Sequence, residues 1–289
     1  MSVVLQLLVN GVLAAAIYAL IAGGLSFLYA TTRIFHLAHG VVVVAGGYAF
    51  WWMSVALGWN VVIAALFSIA IAALLGVIMN ELVYETLRRR GARGVSFVIA
   101  TLAMLVFGTS LVLLLFGAAP KTFAFATPSL ELGGVYITVL QLWMIGVAIA
   151  LLSAYAFIVY RTKFGRAMRA TADHELVAEV LGVPTRRIRR YAFALSSILA
   201  AAAGILIGLE FNLDPQMGIL LAIYGFAAAV IGGIGSFAGA LLGALILGNI
   251  EQVTVWFWGA GWRSASTFII LFLFLLFRPS GIVRRDRNG

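Results

Sequence analysis

The sequence contains no cysteine. Disulfides, thiolate metal sites and a cysteine nucleophile are therefore excluded. Charge is also scarce: 10% of the 289 residues are Asp, Glu, Lys or Arg, against 64% that are hydrophobic. An average soluble domain is about 25% charged and about 45–50% apolar. A water-soluble fold of this length would be unable to bury so much apolar side chain and still cover its surface. The composition excludes a soluble globular enzyme, a nucleic-acid-binding domain and a disordered chain. Lysine is nearly missing, and neither Lys121 nor Lys163 follows a glycine. The chain thus lacks the Gly-Lys-Ser/Thr core of a phosphate-binding loop. Gly-x-Gly-Asp and Gly-x-Ser-Gly patterns are absent too, which disfavours an intramembrane aspartyl or serine protease.

What is present is a series of long apolar runs. These point to an all-α polytopic membrane protein, with room for eight or nine spans at about 20 residues each. The expected spans are 3–29, 41–57, 60–79, 95–117, 139–160, 191–210, 217–234, 237–255 and 263–277. The count is eight if 30–57 is re-entrant or broken, since the stretch ATTRIFHLAHG (30–40) is too polar to lie against lipid. The first apolar run has no basic segment before it and is long enough to span, so it reads as a span and not a cleaved leader.

Basic residues outnumber acidic ones by 19 to 10, a net charge of +9. Their placement decides what this excess means. Sixteen of the 19 fall in segments 80–94, 161–190 and 278–289. The exceptions are Arg33, Lys121 and Arg263. Basic residues stay on the cytoplasmic side of a membrane. The first two segments are therefore expected to be cytoplasmic loops and the third, ending at the C-terminus, a cytoplasmic tail. The parity of the spans then puts the N-terminus outside and 118–138 in an external loop. The seven tryptophans fall near span ends, as an interfacial aromatic belt requires. Gly204/Gly208 and Gly235/Gly239/Gly243 have the spacing that lets helices approach closely. AIYALIAGGLSF (16–27) and AIYGFAAAVIGGIGSF (222–237) are faintly alike, which in a chain so rich in Ala, Gly and Ile reads as chance.

Few polar groups are available for chemistry. His36 and His39 would share a face if helical, but they have no nearby Cys or carboxylate, so no metal site is expected. They are candidates for a gate or solute path, or for buried hydrogen bonding. Glu251 lies in an apolar stretch and needs a partner there, as a candidate for the solute path or for a structural hydrogen bond. Asn10, Tyr18 and Gln141 are further polar groups within spans and candidate path residues. Glu210 and Asp214 flank the outer turn FNLDPQ (211–216) and suit docking of an external protein. Residues 172–181 form a short amphipathic helix, with Leu176, Val177, Val180 and Leu181 on one face and Asp173, Glu175 and Glu179 on the other. Gly182 stops it and Pro184 prevents its continuation. An apolar-faced helix in a basic loop suits either a partner or a membrane surface.

Four stretches together resemble a known family: NGVLAAAIYALIAGGLSFLYATTRIFHLAHG (10–40), YRTKFGRAMRATADHELVAEVLGV (160–183), AAVIGGIGSFAGALLGALILGNIE (228–251) and FRPSGI (277–282). In this order, over essentially the full length, they are similar to the shorter membrane subunit of the branched-chain amino acid permeases of ABC importers. The resemblance implies one transmembrane permease domain over 1–289 in a bacterial inner membrane, without an ATPase of its own. It implies two cytoplasmic ATPases holding ATP and Mg, a second permease subunit that is a copy or a relative, and a periplasmic solute-binding protein. By the same resemblance 160–183 carries the coupling helix, with Glu175, Ala178, Leu181, Gly182 and Val183 at the ATPase contact. The cargo implied is a branched-chain or related small amino acid, with urea, short amides or aromatic acids as alternatives. An ion-coupled transporter or channel is the competing class, disfavoured by the few intramembrane charges. Where the family often reads Asn-Phe-Ala-His-Gly, this sequence has His36-Leu37-Ala38-His39-Gly40. The extra imidazole leaves the cargo open.

Overall fold

The computed structural model describes residues 2–92, 94–123 and 127–283. Arg93 and the tail arginines Arg284, Arg285 and Arg287 lie outside the described residues.

The first helix, α1, spans Ser2–Thr32. A non-helical connection leads to α2 (His39–Trp51), which runs on through a π-helical turn, Trp52–Ala56. Gly58 turns the chain with φ +67°, and the Asn60 side chain caps α3 (Val61–Ile78) by accepting from the Val62 amide at 2.9 Å. A second π-helical stretch, Met79–Tyr84, joins α3 to α4 (Glu85–Arg89) without a break. Most of the loop expected over 80–94 is therefore helix, and only its last residues turn. Next come α5 (Val95–Phe116) and a hairpin of β1 (Ser129–Leu132) and β2 (Val135–Thr138). The hairpin was not foreseen in the expected external loop. Its two-residue turn is Gly133-Gly134, both at positive φ, as a tight hairpin requires.

The second half begins with α6 (Val139–Arg161), α7 (Lys163–Asp173) and α8 (Glu175–Val180). Then follow α9 (Thr185–Glu210), α10 (Gly218–Gly232), α11 (Phe237–Trp258) and, after a single 3-10 turn, α12 (Arg263–Phe277). Eight helical stretches among the described residues are long and apolar enough to cross a membrane. The helix α10 is apolar but shorter and is not among the eight. Its 15 residues cover about 22 Å, less than the roughly 30 Å of a hydrocarbon core.

Small residues explain which helices lie inside. The run Ala200–Gly204 of α9 is buried against α2 and α3. A methyl group on Gly204 would meet the Val43 carbonyl, and one on Gly76 would meet Ser197. Gly239 and Gly243 seat α11 against the Gly232 and Ala228 carbonyls of α10. The expected small-residue packing is thus real at these positions. By contrast, α3, α5, α6 and α12 carry exposed leucines, valines and phenylalanines, such as Leu66, Phe107, Leu114 and Phe272. An apolar surface this extensive is what a bilayer covers.

Candidate functional site

The two described basic segments meet at one end of the bundle. Arg88 donates to the Thr32 carbonyl at the end of α1, and Arg33 to Ala172 of α7 at 3.0 Å. Glu81 takes Arg186 at 2.6 Å and Arg190 at 2.9 Å. One turn further on, Glu85 takes Arg189 through both carboxylate oxygens, at 2.9 and 3.1 Å. Glu85 and Arg189 are buried. The π-helical stretch before them sets this register, since a wider turn shifts every later side chain around the axis.

On this base sits α8. The expected helix 172–181 is divided: α7 ends at Asp173, and His174 caps a new six-residue helix. The stop is as the sequence indicates. Gly182 has φ +82°, its amide bonds to Glu179 and the Val183 amide to Ala178, both at 2.9 Å. The apolar face points away from the protein: Leu176 is 68% exposed, Val177 50%, Val180 87% and Leu181 76%. The other face turns inward. Ala178 is buried, Val183 packs on the core, and Glu175 pairs with Arg189 and, at 3.7 Å, with Arg88. Of the five coupling candidates, Leu181 and Gly182 are therefore exposed, while Glu175, Ala178 and Val183 support them from behind.

His36 and His39 do not share a helix. His36 lies in the non-helical connection and His39 opens α2, yet their rings are 5.9 Å apart. His36 Nδ1 is 2.6 Å from the Tyr84 hydroxyl. His36 Nε2 and both His39 nitrogens are buried without a hydrogen-bond partner. Buried polar atoms left this way are costly. A cavity of about 20 Å³ beside His36 is lined by Tyr29, Phe35 and Phe226. It has room for a water molecule only.

The α2 start crosses the α10 start. A methyl group on Gly40 would collide with the Gly218 carbonyl. Both helices begin after irregular backbone, 33–38 and 211–217. Such backbone inside a membrane protein must be buried in protein or line a cavity. Here it is held: Leu213 exchanges backbone hydrogen bonds with Lys121 at 2.9 and 2.8 Å, and Tyr48 donates to its carbonyl at 3.0 Å.

Tyr18 and Glu251, separate candidates in the sequence, are partners. The Tyr18 hydroxyl donates to Glu251 Oε2 at 2.6 Å, and Arg263 Nε lies 2.8 Å from Oε1. Glu251 is 1% exposed. Tyr224 stands beside Tyr18, ring centroids 5.5 Å apart, and bonds Ser264 at 2.8 Å. These tyrosines belong to the two faintly similar AIY stretches, which therefore meet in space. Arg263 was the missed member, although a buried carboxylate demanded a cation and Arg263 lies outside the basic segments.

The remaining candidates sit at the opposite end. Asn10 accepts from Gln6 at 3.0 Å. Gln141 is committed to a capping box with Thr138 and donates to Glu210 at 2.7 Å. Asp214 is exposed and bonds the Gln216 amide at 2.7 Å.

Comparison with known proteins gives one consistent answer. Residues 7–277 match the family described as branched-chain amino acid transport system, permease component. The chain is 32% identical to the high-affinity branched-chain amino acid transport system permease protein BraD of Pseudomonas aeruginosa, over 97% of this chain and 96% of that one. It is equally similar to the LivH permease protein of the same kind of system in Escherichia coli K12, with the same coverage. A permease protein of an autoinducer 2 import system, LsrC of Yersinia pseudotuberculosis, is 37% identical over 45% of this chain and 39% of its own length. Among solved structures, PsaBC from Streptococcus pneumoniae in complex with Fab shares the fold, with a TM-score of 0.53 at 10% identity over 94% of this chain and 91% of that one. With the full-length match and the membrane helices together, the chain belongs to the branched-chain amino acid transport permease family, as a multi-pass membrane subunit of a solute transport system.

Proposed function

We propose that this chain is the permease subunit of an ATP-driven importer in a bacterial inner membrane. It passes a branched-chain or related small amino acid from a periplasmic binding protein to the cytoplasm by alternating access. It pairs with a second permease subunit, and two cytoplasmic ATPases hydrolyse MgATP on its behalf. The observation that carries this reading is the outward apolar face of α8, Leu176, Val177, Val180 and Leu181, in a loop whose surroundings are basic. Such a patch on a polar surface marks a protein or membrane contact, and the family's transport role favours the protein partner. Each nucleotide state of the ATPases then favours one permease conformation through its different grip on this face.

His36, His39 and the crossing of α2 over α10 form the gate in this reading. Asp214 and Glu210 are the docking contacts for an external binding protein in this reading.

A different cargo is the second reading, favoured by the partial match to an autoinducer 2 permease. The test is reconstitution in liposomes with ATPase and binding-protein partners. Solute-stimulated ATP turnover supports the proposal, and uptake by the chain alone without ATP defeats it. Val180→Asp and Gly182→Asp should each prevent co-purification of the ATPase while leaving the membrane part folded. Competition between leucine, urea and autoinducer 2 for uptake identifies the cargo.

A further inference from the structure

The inward face of α8 is tied to the membrane helices by a chain of charged contacts, and one side chain joins them. Arg189, in the second turn of α9, holds Glu85 of α4 on one side and Glu175 of α8 on the other. Its Nη1 also reaches Thr185 at 3.3 Å, and Thr185 in turn bonds Glu179 in the last turn of α8. Glu175 is shared with Arg88, which grips the final carbonyl of α1. The side chains of Arg189 and Glu85 are each 7% exposed, whereas Glu175 is 33% exposed. The buried pair is thus a fixed anchor, and Glu175 is the link that reaches from it to the loop.

A planar guanidinium engages two carboxylates through a rigid fork of donors, whereas the donors of an ammonium rotate. Charge-assisted hydrogen bonds are directional and about twice as strong as neutral ones, whereas apolar contacts are non-directional. We propose that Arg189 is the positioning residue that transmits motion: a displacement of α8 moves α4, with the continuous α3, together with α9, as one body. This rests on the reading of α8 as the ATPase docking helix. It goes beyond that reading by assigning the transmission to Arg189, Glu85 and Glu175, none of which belongs to the exposed face.

Removing Arg189 alone would strand a buried carboxylate and risk misfolding. The test therefore uses the double variant Glu85→Leu/Arg189→Met, which replaces the buried pair with apolar side chains of similar size. In proteoliposomes containing the ATPase and binding protein, the readouts are ATPase co-purification and solute transported per ATP hydrolysed. The expected result is that the ATPase still co-purifies, while solute per ATP falls at least tenfold. Glu175→Ala, which leaves the buried pair intact, should lower the same ratio, and Arg189→Lys should give a value between wild type and the double variant. A double variant that transports within twofold of the wild-type ratio would overturn the proposal. So would one that loses the ATPase, because Arg189 would then hold the docking helix in place and transmit nothing. Failure of the docking reading shows separately: Val180→Asp would then retain the ATPase, whatever the double variant does.

Discussion

Tyr18 donates to Glu251 across the α1–α11 contact at 2.6 Å, and Arg263 approaches the other oxygen of the same carboxylate at 2.8 Å. Tyr18 stands near the midpoint of the 31-residue α1. A buried carboxylate persists where a cation inside the protein offsets its charge, and here the hydrogen bond it accepts comes from Tyr18. Tyr18→Phe should lower stability by about 0.5–2 kcal/mol, the range for side-chain hydrogen bonds between membrane helices. Glu251→Gln should cost at least as much, and adding Arg263→Met should recover part of the loss. Thermal unfolding in detergent reads all three. A Tyr18→Phe protein as stable as wild type would show that the hydroxyl is not needed.

The crossing of α2 and α10 tolerates no side chain at Gly40. Gly40→Ala should destabilise by about 1–3 kcal/mol, as overpacking does, or misplace α10 and abolish uptake. Gly146 is the control, because a methyl group there meets nothing within 4 Å. Gly146→Ala in mid-helix should be neutral or slightly stabilising. Folded yield and uptake of the two variants should differ in kind.

His39 offers a test of gate against packing. Neither of its ring nitrogens has a partner, and the ring is fully buried. An apolar replacement removes an unmet polar group, which need not destabilise. His39→Leu is expected to keep or raise the melting temperature while lowering uptake at least tenfold. Unchanged uptake at normal expression would assign His39 to packing.

The start of α6 should behave as a purely structural element. Thr138 and Gln141 cap one another's backbone amides. Thr138→Ala is expected to cost about 1 kcal/mol and to leave the rate of uptake per folded protein unchanged. A specific loss of uptake would assign Gln141 to the solute path.

Most of the architecture was legible because a bilayer imposes simple rules. Apolar runs marked the helices, arginines marked one end, and Gly182 with Pro184 marked the end of α8. The expected count was eight or nine because 30–57 could be broken, yet His39–Ala56 is long and apolar enough to cross a membrane and the short element is α10. Hydropathy sees that 217–234 is apolar, but it does not see that only Gly218–Gly232 is helix. The π-helical stretch over Met79–Tyr84 left no composition signal, so helix was read as loop up to Arg89. Pairings were the least legible. Glu251 announced a need for a cation, but Arg263 lies 12 positions further on, beyond a turn. Glu85 and Arg189 lie 104 positions apart and meet only because α3 and its π-helical continuation pack along α9.

The clasp on α1 has a mechanical meaning. At the outer end, the Gln6 amide pairs with the Tyr136 backbone in both directions, at 3.0 and 2.8 Å, as another strand residue would. At the other end, Arg88 holds Thr32, and Ser26 accepts from the Gly235 amide at 2.9 Å. A rod pinned at both tips does not travel along its own length. A transport cycle of the proposed kind then carries α4 and the inner tip of α1 together, because Arg88 joins them.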